Sequence, residues 1–192
     1  MALKDEIRSS LAQLARRNIP SGFSLDAAVL IPIFQPDSEP HFLLTLRTEE
    51  VQTHKGQISF PGGMREGDED LKETALRETY EEVGIDAGRI EILGRFHDYL
   101  SSTGYRVTPF VGFIDEPFTT TLQSREVAEV LKVPFRIFTD PGRLRVERRL
   151  HLGRTVDVLF FSYGAYEIWG LTARIIRDLL EIIPRPGSSS GN

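Results

Sequence analysis

The stretch that most constrains this chain is GMREGDEDLKETALRETYEEVGI, residues 63–85, where a glycine-rich approach runs into a strongly acidic helix. Asp68 or Asp70 can cap the start of that helix and Gly84 closes it, with Leu71, Ala75 and Val83 spaced to face inward. On such a helix Glu78, Glu81 and Glu82 stand at i, i+3 and i+4 and project from one face. Like charges so placed repel, and the helix gains nothing from them unless something positive sits there. Clustered hard oxygen ligands suit Mg²⁺ or Mn²⁺, which can also bridge to phosphate oxygens of a substrate. Glu69, at the helix entry, can add a fourth carboxylate. Gly62 and Gly63 let the backbone approach metal or substrate closely, and Arg77 is placed to fix the carboxylates by charge-assisted hydrogen bonds. ETYEE alone reads as a solvated acidic face. Seven specified positions falling together by accident in a chain this long is a chance of roughly one in a million.

Around this stretch, apolar runs at Ala27–Phe34 and His41–Arg47, split by a Pro- and Asp-containing turn, predict a hairpin or neighbouring strands. Further strands are expected at Arg89–His97, Val107–Ile114 and Val156–Tyr163. Leu3, Ile7, Leu11 and Leu14 give residues 2–17 one apolar stripe and predict a helix. Leu171, Ile175, Ile176, Leu179 and Ile183 do the same for residues 168–183, which stop at Pro184. Strands grouped with two or three helices in irregular order predict an α+β sandwich with a mixed sheet between helical layers, a doubly wound α/β fold being the alternative. Residues 1–183 read as a single domain and 184–192 as a disordered tail.

The 192 residues carry 23 basic and 28 acidic side chains, a formal charge of −5. That balance argues against a chain that coats nucleic acid or an anionic membrane. The chain has no cysteine, which removes disulfide scaffolds, thiolate metal sites and cysteine nucleophiles. No apolar run approaches the roughly 20 residues of a membrane span, and the first residues lack the apolar core of a secretory signal, so a cytoplasmic location is expected. The four histidines, His41, His54, His97 and His151, are scattered and read as structural or exposed. Arg143, Arg145, Arg148, Arg149 and Arg154 form a basic run, read as a solvated strand or turn or, more sharply, as a contact for an anionic substrate. Gly187–Gly191 matches G-x-S-x-G, but without the strand and helix that a nucleophile elbow requires, and no P-loop is present.

The spacing G-x5-E-x7-R-E-x2-E-E-x-G resembles the Nudix box, and the chain is similar to the Nudix hydrolase family. Thr79 departs from the bulky aliphatic residue usual at its position. The resemblance implies a Nudix-type α/β/α sandwich, a box that binds divalent metal, and hydrolysis of a nucleoside diphosphate linked to another moiety. It implies Glu78 and Glu82 as principal metal ligands, with Glu81 and Glu69 as further ligands or as the base for the attacking water, and Arg77 in support. Glu126 and Glu129 lie where some members keep the general base, and otherwise read as surface charge. Leu43–Arg47, Gly56 and Phe60–Gly63 are similar to the signature that precedes the box in the coenzyme A pyrophosphatase branch, save Thr48 for Ser or Ala and Gln52 for Arg. Arg47 or Lys55 would then meet the substrate in place of the missing arginine, beside Gly62 and Gly63. Ile168–Ala173 also resembles the C-terminal helix of that branch. The partner implied is a small nucleotide, coenzyme A. ADP-ribose, dinucleotides or nucleoside triphosphates as substrates, or a nucleotide-sensing module without catalysis, are the alternatives.

Overall fold

The structure, a computed structural model, describes residues 2–20, 25–48, 56–151 and 153–183. In chain order these form α1 (Leu3–Gln13), β1 (Asp26–Phe34), β2 (His41–Arg47), β3 (Ile58–Ser59), β4 (Gly62–Met64), α2 (Leu71–Val83), β5 (Ile90–Arg95) and β6 (Tyr99–Leu100). There follow β7 (Arg106–Ile114), β8 (Val127–Pro134), α3 (Arg136–Thr139), β9 (Leu144–His151), β10 (Arg154–Tyr163), β11 (Tyr166–Trp169) and α4 (Gly170–Ile182).

β1 and β7 run parallel through the middle of a mixed sheet ordered β3-β2-β1-β7-β5, with β4 on β1, β6 on β7 and β8 on β2. Successive residues of β1 point to opposite faces, as the pleat requires. Ala28, Leu30 and Phe34 join Ala75 and Val83 of α2 on one face, while Ile31 and Ile33 join Ile7 and Leu11 of α1 and Ile175, Ile176 and Leu179 of α4 on the other. β9, β10 and β11 form a separate antiparallel sheet whose Leu159, Phe161 and Ile168 enter that second cluster. The α+β reading, with a mixed sheet between helices, is the fold. No helix among the described residues is long and apolar enough to cross a membrane.

The expected β1–β2 hairpin is joined only at Ile33↔Phe42 and Phe34↔His41. Below that junction β1 pairs instead with β4, Ala28 opposite Gly63 and Val29 opposite Gly62, which sets the two glycines in the sheet. Helix α1 ends at Gln13 and not at residue 17. The backbone of Arg17 is taken out of the helix by its N–H bond to Nδ1 of His97 and by its carbonyl, which accepts from the Asp98 amide at 2.9 Å. Helix α4 starts at Gly170 and not at residue 168, because Ile168 and Trp169 pair with Phe161 and Phe160 as strand, and Gly170 turns the chain at φ 66°. Of the basic run, Arg145, Arg148 and Arg149 lie on the exposed strand β9 and Arg154 opens β10. Arg145 and Arg149 pair with Glu147, Arg148 lies 3.8 Å from Asp157, and the preceding Arg143 lies 3.3 Å from Asp140.

Asp98 is the buried charge that ties these pieces together. Its carboxylate accepts from Arg95 at 2.7 Å, from Thr108 Oγ1 at 2.8 Å and from the Ile19 amide at 2.9 Å. Burial opposes ionisation, but these donors outweigh it and hold the carboxyl below the usual aspartate range. A depressed folded pKa contributes stability above the unfolded pKa, and that contribution is lost as pH falls through the folded value. Asp98→Asn should cost roughly 2 kcal/mol at neutral pH. In urea titrations, the gap between variant and parent should narrow as the buffer is acidified towards pH 3.

Candidate active site

Helix α2 is fixed at both ends by its own sequence. Asp70 caps it, its side chain accepting from the Lys72 amide at 2.8 Å while Glu73 reaches back to the Asp70 amide, and Gly84 ends it at φ 70°. Thr79, fully buried, donates Oγ1–H to the Ala75 carbonyl at 2.7 Å, so its hydroxyl is satisfied inside the helix.

One guanidinium organises the acidic side chains. Arg77 donates from Nη2 to Glu69 at 2.9 Å and to the Met64 carbonyl at 3.1 Å, from Nη1 to Glu78 at 3.0 Å and Glu81 at 3.3 Å, and from Nε to Glu69 at 3.2 Å. Glu69 also accepts from Thr74 Oγ1 and the Glu66 amide, each at 2.9 Å, and with Arg77 these hold its carboxyl down at about 2. Oε1 of Glu69 takes three of these donors and Oε2 one, so Glu69 anchors the approach loop to the helix. Nothing in the sequence had singled out Thr74 or the Met64 carbonyl as members of this network.

The carboxylates with oxygen to spare are Glu78, Glu81 and Glu82. Glu81 is exposed, Glu78 half-buried, and Glu82 only 6 % exposed, with Oε2 buried and, among the described residues, without a hydrogen-bond partner. Burial pushes Glu82 up to about 8, and the charges of Glu78 and Glu126 add to that. Arg47 and the Gly62 amide act in the opposite sense. Burial also raises Glu78, against the pull of Arg77. Among the described residues no three acidic or histidine side chains converge into a ready-made cage. Glu78 and Glu82 nevertheless fit a hard divalent ion, since Mg²⁺ keeps several waters and commonly takes only one or two carboxylates with substrate phosphates. An orphaned, buried carboxylate oxygen beside a second carboxylate is the donor set such an ion neutralises.

Opposite the helix lies β4. A Cβ at Gly62, where φ is 154°, would fall 2.4 Å from the Ala28 carbonyl, and one at Gly63 would fall 2.5 Å from the Glu78 carboxyl. Gly62 is therefore forced by backbone, whereas a side chain at Gly63 would displace the Glu78 carboxyl. Arg47, at the end of β2, pairs with Glu126 at 2.7 Å. Gln52, His54 and Lys55 lie outside the described residues. Glu129 accepts from the Tyr166 hydroxyl at 2.6 Å, a contact between the two sheets. His41 bonds the Glu39 carbonyl and His97 accepts from the Arg17 amide, both structural roles.

A NUDIX domain model matches residues 24–150. The chain belongs to the Nudix family. The Nudix hydrolase NudL of Yersinia enterocolitica is 40 % identical over 172 residues, covering 84 % of this chain and 85 % of its own. That of Photorhabdus laumondii is 38 % identical over 159 residues, covering 81 % and 83 %. Among solved structures, a MutT/nudix family protein from Enterococcus faecalis superposes with TM-score 0.56 at 17 % identity, over 94 % of this chain and 74 % of that one, a likeness of fold. Nudix hydrolases generally use divalent metal ions, in keeping with the donor set around Glu82.

The two glycines separate fold from site. Gly62→Ala meets backbone and should destabilise the protein by roughly 2 kcal/mol. Gly63→Ala meets only the movable end of Glu78. Its melting temperature should stay near the parent's while Mn²⁺ affinity, measured by calorimetry, falls about 10- to 100-fold.

Proposed function

We propose that this Nudix hydrolase cleaves the pyrophosphate bond of coenzyme A, giving 4′-phosphopantetheine and adenosine 3′,5′-bisphosphate. The observation that carries the hydrolytic part is the buried, unspent Oε2 of Glu82 beside Glu78. The coenzyme A part is supported by the sequence of β2 and of the segment ending in Phe60–Gly63, which resembles the coenzyme A pyrophosphatase signature.

In this reading Glu78 and Glu82 hold Mg²⁺ or Mn²⁺. When bound, the ion supplies Lewis-acid polarisation of a phosphoryl oxygen and lowers the pKa of water. Water attacks one phosphorus and the other phosphate leaves, so no covalent nucleophile from the protein is needed. Glu81, which is exposed, takes the proton of the attacking water in this reading. Arg77 and Glu69 keep the helix and its approach loop in register, so that the carboxylates meet the substrate already oriented. In this reading Gly62 and Gly63 admit the substrate close to the backbone, and the Arg47 guanidinium meets a phosphate oxygen.

The test is incubation with Mg²⁺ or Mn²⁺ and, separately, coenzyme A, ADP-ribose, NADH and diadenosine polyphosphates, with products identified by chromatography. Coenzyme A should be the preferred substrate. A preference for another member of the panel would replace it, and turnover of none would leave a binding module. Glu82→Gln should lower turnover by at least about 100-fold without changing the circular dichroism spectrum.

A further inference from the structure

The ribbon formed by β9 and β10 is seated in the fold over only part of its length. At its root Leu144 faces Phe161 and Val146 faces Leu159, and Leu159 and Phe161 enter the larger apolar cluster. β11 borders β10 from Phe160 to Tyr163 and no further. Towards the turn, β10 has β9 as its one strand neighbour among the described residues. There Arg148 faces Asp157 and Leu150 faces Thr155 on one side of the ribbon, Arg149 faces Val156 on the other, and all six are exposed. Leu150 is 78 % exposed, Val146 on the same face 49 %, and Val156 on the opposite face 38 %. A two-stranded ribbon is marginal in water when it stands alone, and apolar side chains on both of its faces gain nothing from solvent.

The ribbon also differs in charge from the chain that carries it. Residues 143–157 hold five arginines against Glu147 and Asp157, a surplus of three positive charges, so the rest of the chain carries −8 of a total of −5.

We infer that the outer half of the β9–β10 ribbon is a dimerisation arm, and that its seat is the acidic surface of a second copy of this chain. The inference stands apart from the metal site and from coenzyme A as substrate.

Opposite charge surpluses in one sequence make two copies complementary, the arm of each being attracted to the body of the other. Within a single copy the ribbon stands clear of that body, as its exposure on both faces requires. A two-fold axis satisfies both arms at once, because the same contact is then made twice. The root is firm enough to hold such an arm out: Phe160 stacks on Trp169 with ring centroids 5.7 Å apart, and the guanidinium carbons of Arg145 and Arg149 lie 4.2 and 5.0 Å from the Phe160 centroid. In this contact Val146 and Leu150 supply the apolar area and the arginines set the orientation.

The test measures molar mass by light scattering over a concentration series, on the full chain and on two double variants, Val146→Asp with Leu150→Asp and Arg148→Glu with Arg154→Glu. The parent should reach about twice the 21.7 kDa of one chain. Each double variant should raise the dimer dissociation constant at least about 30-fold, and added NaCl should weaken the parent dimer. Circular dichroism confirms that each variant is folded. A parent that keeps the mass of one chain throughout the series would overturn the inference. A dimer that both variants leave intact would place the contact elsewhere and overturn it too. A dimer split by the apolar variant but indifferent to charge reversal and to salt would overturn the acidic surface as the seat of the arm.

Discussion

The arrangement turns on the guanidinium of Arg77. Carboxylates at one helical turn repel, and crowding Glu78, Glu81 and Glu82 onto α2 would disfavour the helix if nothing offset them. Arg77 offsets part of that repulsion from within the helix, and the same side chain reaches the Met64 carbonyl and both oxygens of Glu69. It therefore joins three stretches of chain, the end of β4, the loop before the helix and the helix itself. Its planar fork makes this possible in a way that the point charge of a lysine would not. The guanidinium bonds Glu69, Glu78 and Glu81 and, among the described residues, not Glu82, so the deepest carboxyl is the one left without it.

The second constraint is geometric. β1 leaves β2 after two residue pairs and takes β4 in its place, and that exchange carries Gly62 and Gly63 under the helix. The spacing of the acidic residues on α2 sets their common face, while the sheet sets the depth of that face against the backbone. Neither element alone makes a site: helix without strand is a solvated acidic surface, and strand without helix is a short extension of the sheet edge.

The local part of this was legible in the sequence. Capping at Asp70, termination at Gly84, the shared face of the glutamates and the supporting position of Arg77 all follow from separations of a few residues, where helical geometry is fixed. Features that depend on distant pairing were not legible. The contact of Arg47 with Glu126 needs β2 to lie beside β8, and residues 126–135 carry too weak an alternation to announce a strand. The ends of α1 and α4 were missed for a related reason: Arg17, Ile168 and Trp169 continue a helical pattern but find backbone partners elsewhere, and those partners decide. Glu69 differs again, because its place at the helix entry was clear, and only the structure reveals that it also accepts from Thr74 and the Glu66 amide.

The apolar clusters on the two faces of the sheet are unequal. Helix α2 rests on the smaller one, with Ala28, Leu30, Phe34, Leu43 and Ile114, whereas α1, α4 and the β9–β11 sheet share the larger. Mechanical strength and chemistry are thus assigned to opposite sides of one sheet. The acidic helix thus rests on fewer apolar side chains than the opposite face holds, and its position depends the more on its caps and on Arg77. The sheet acts as a bulkhead between a load-bearing compartment and a working one.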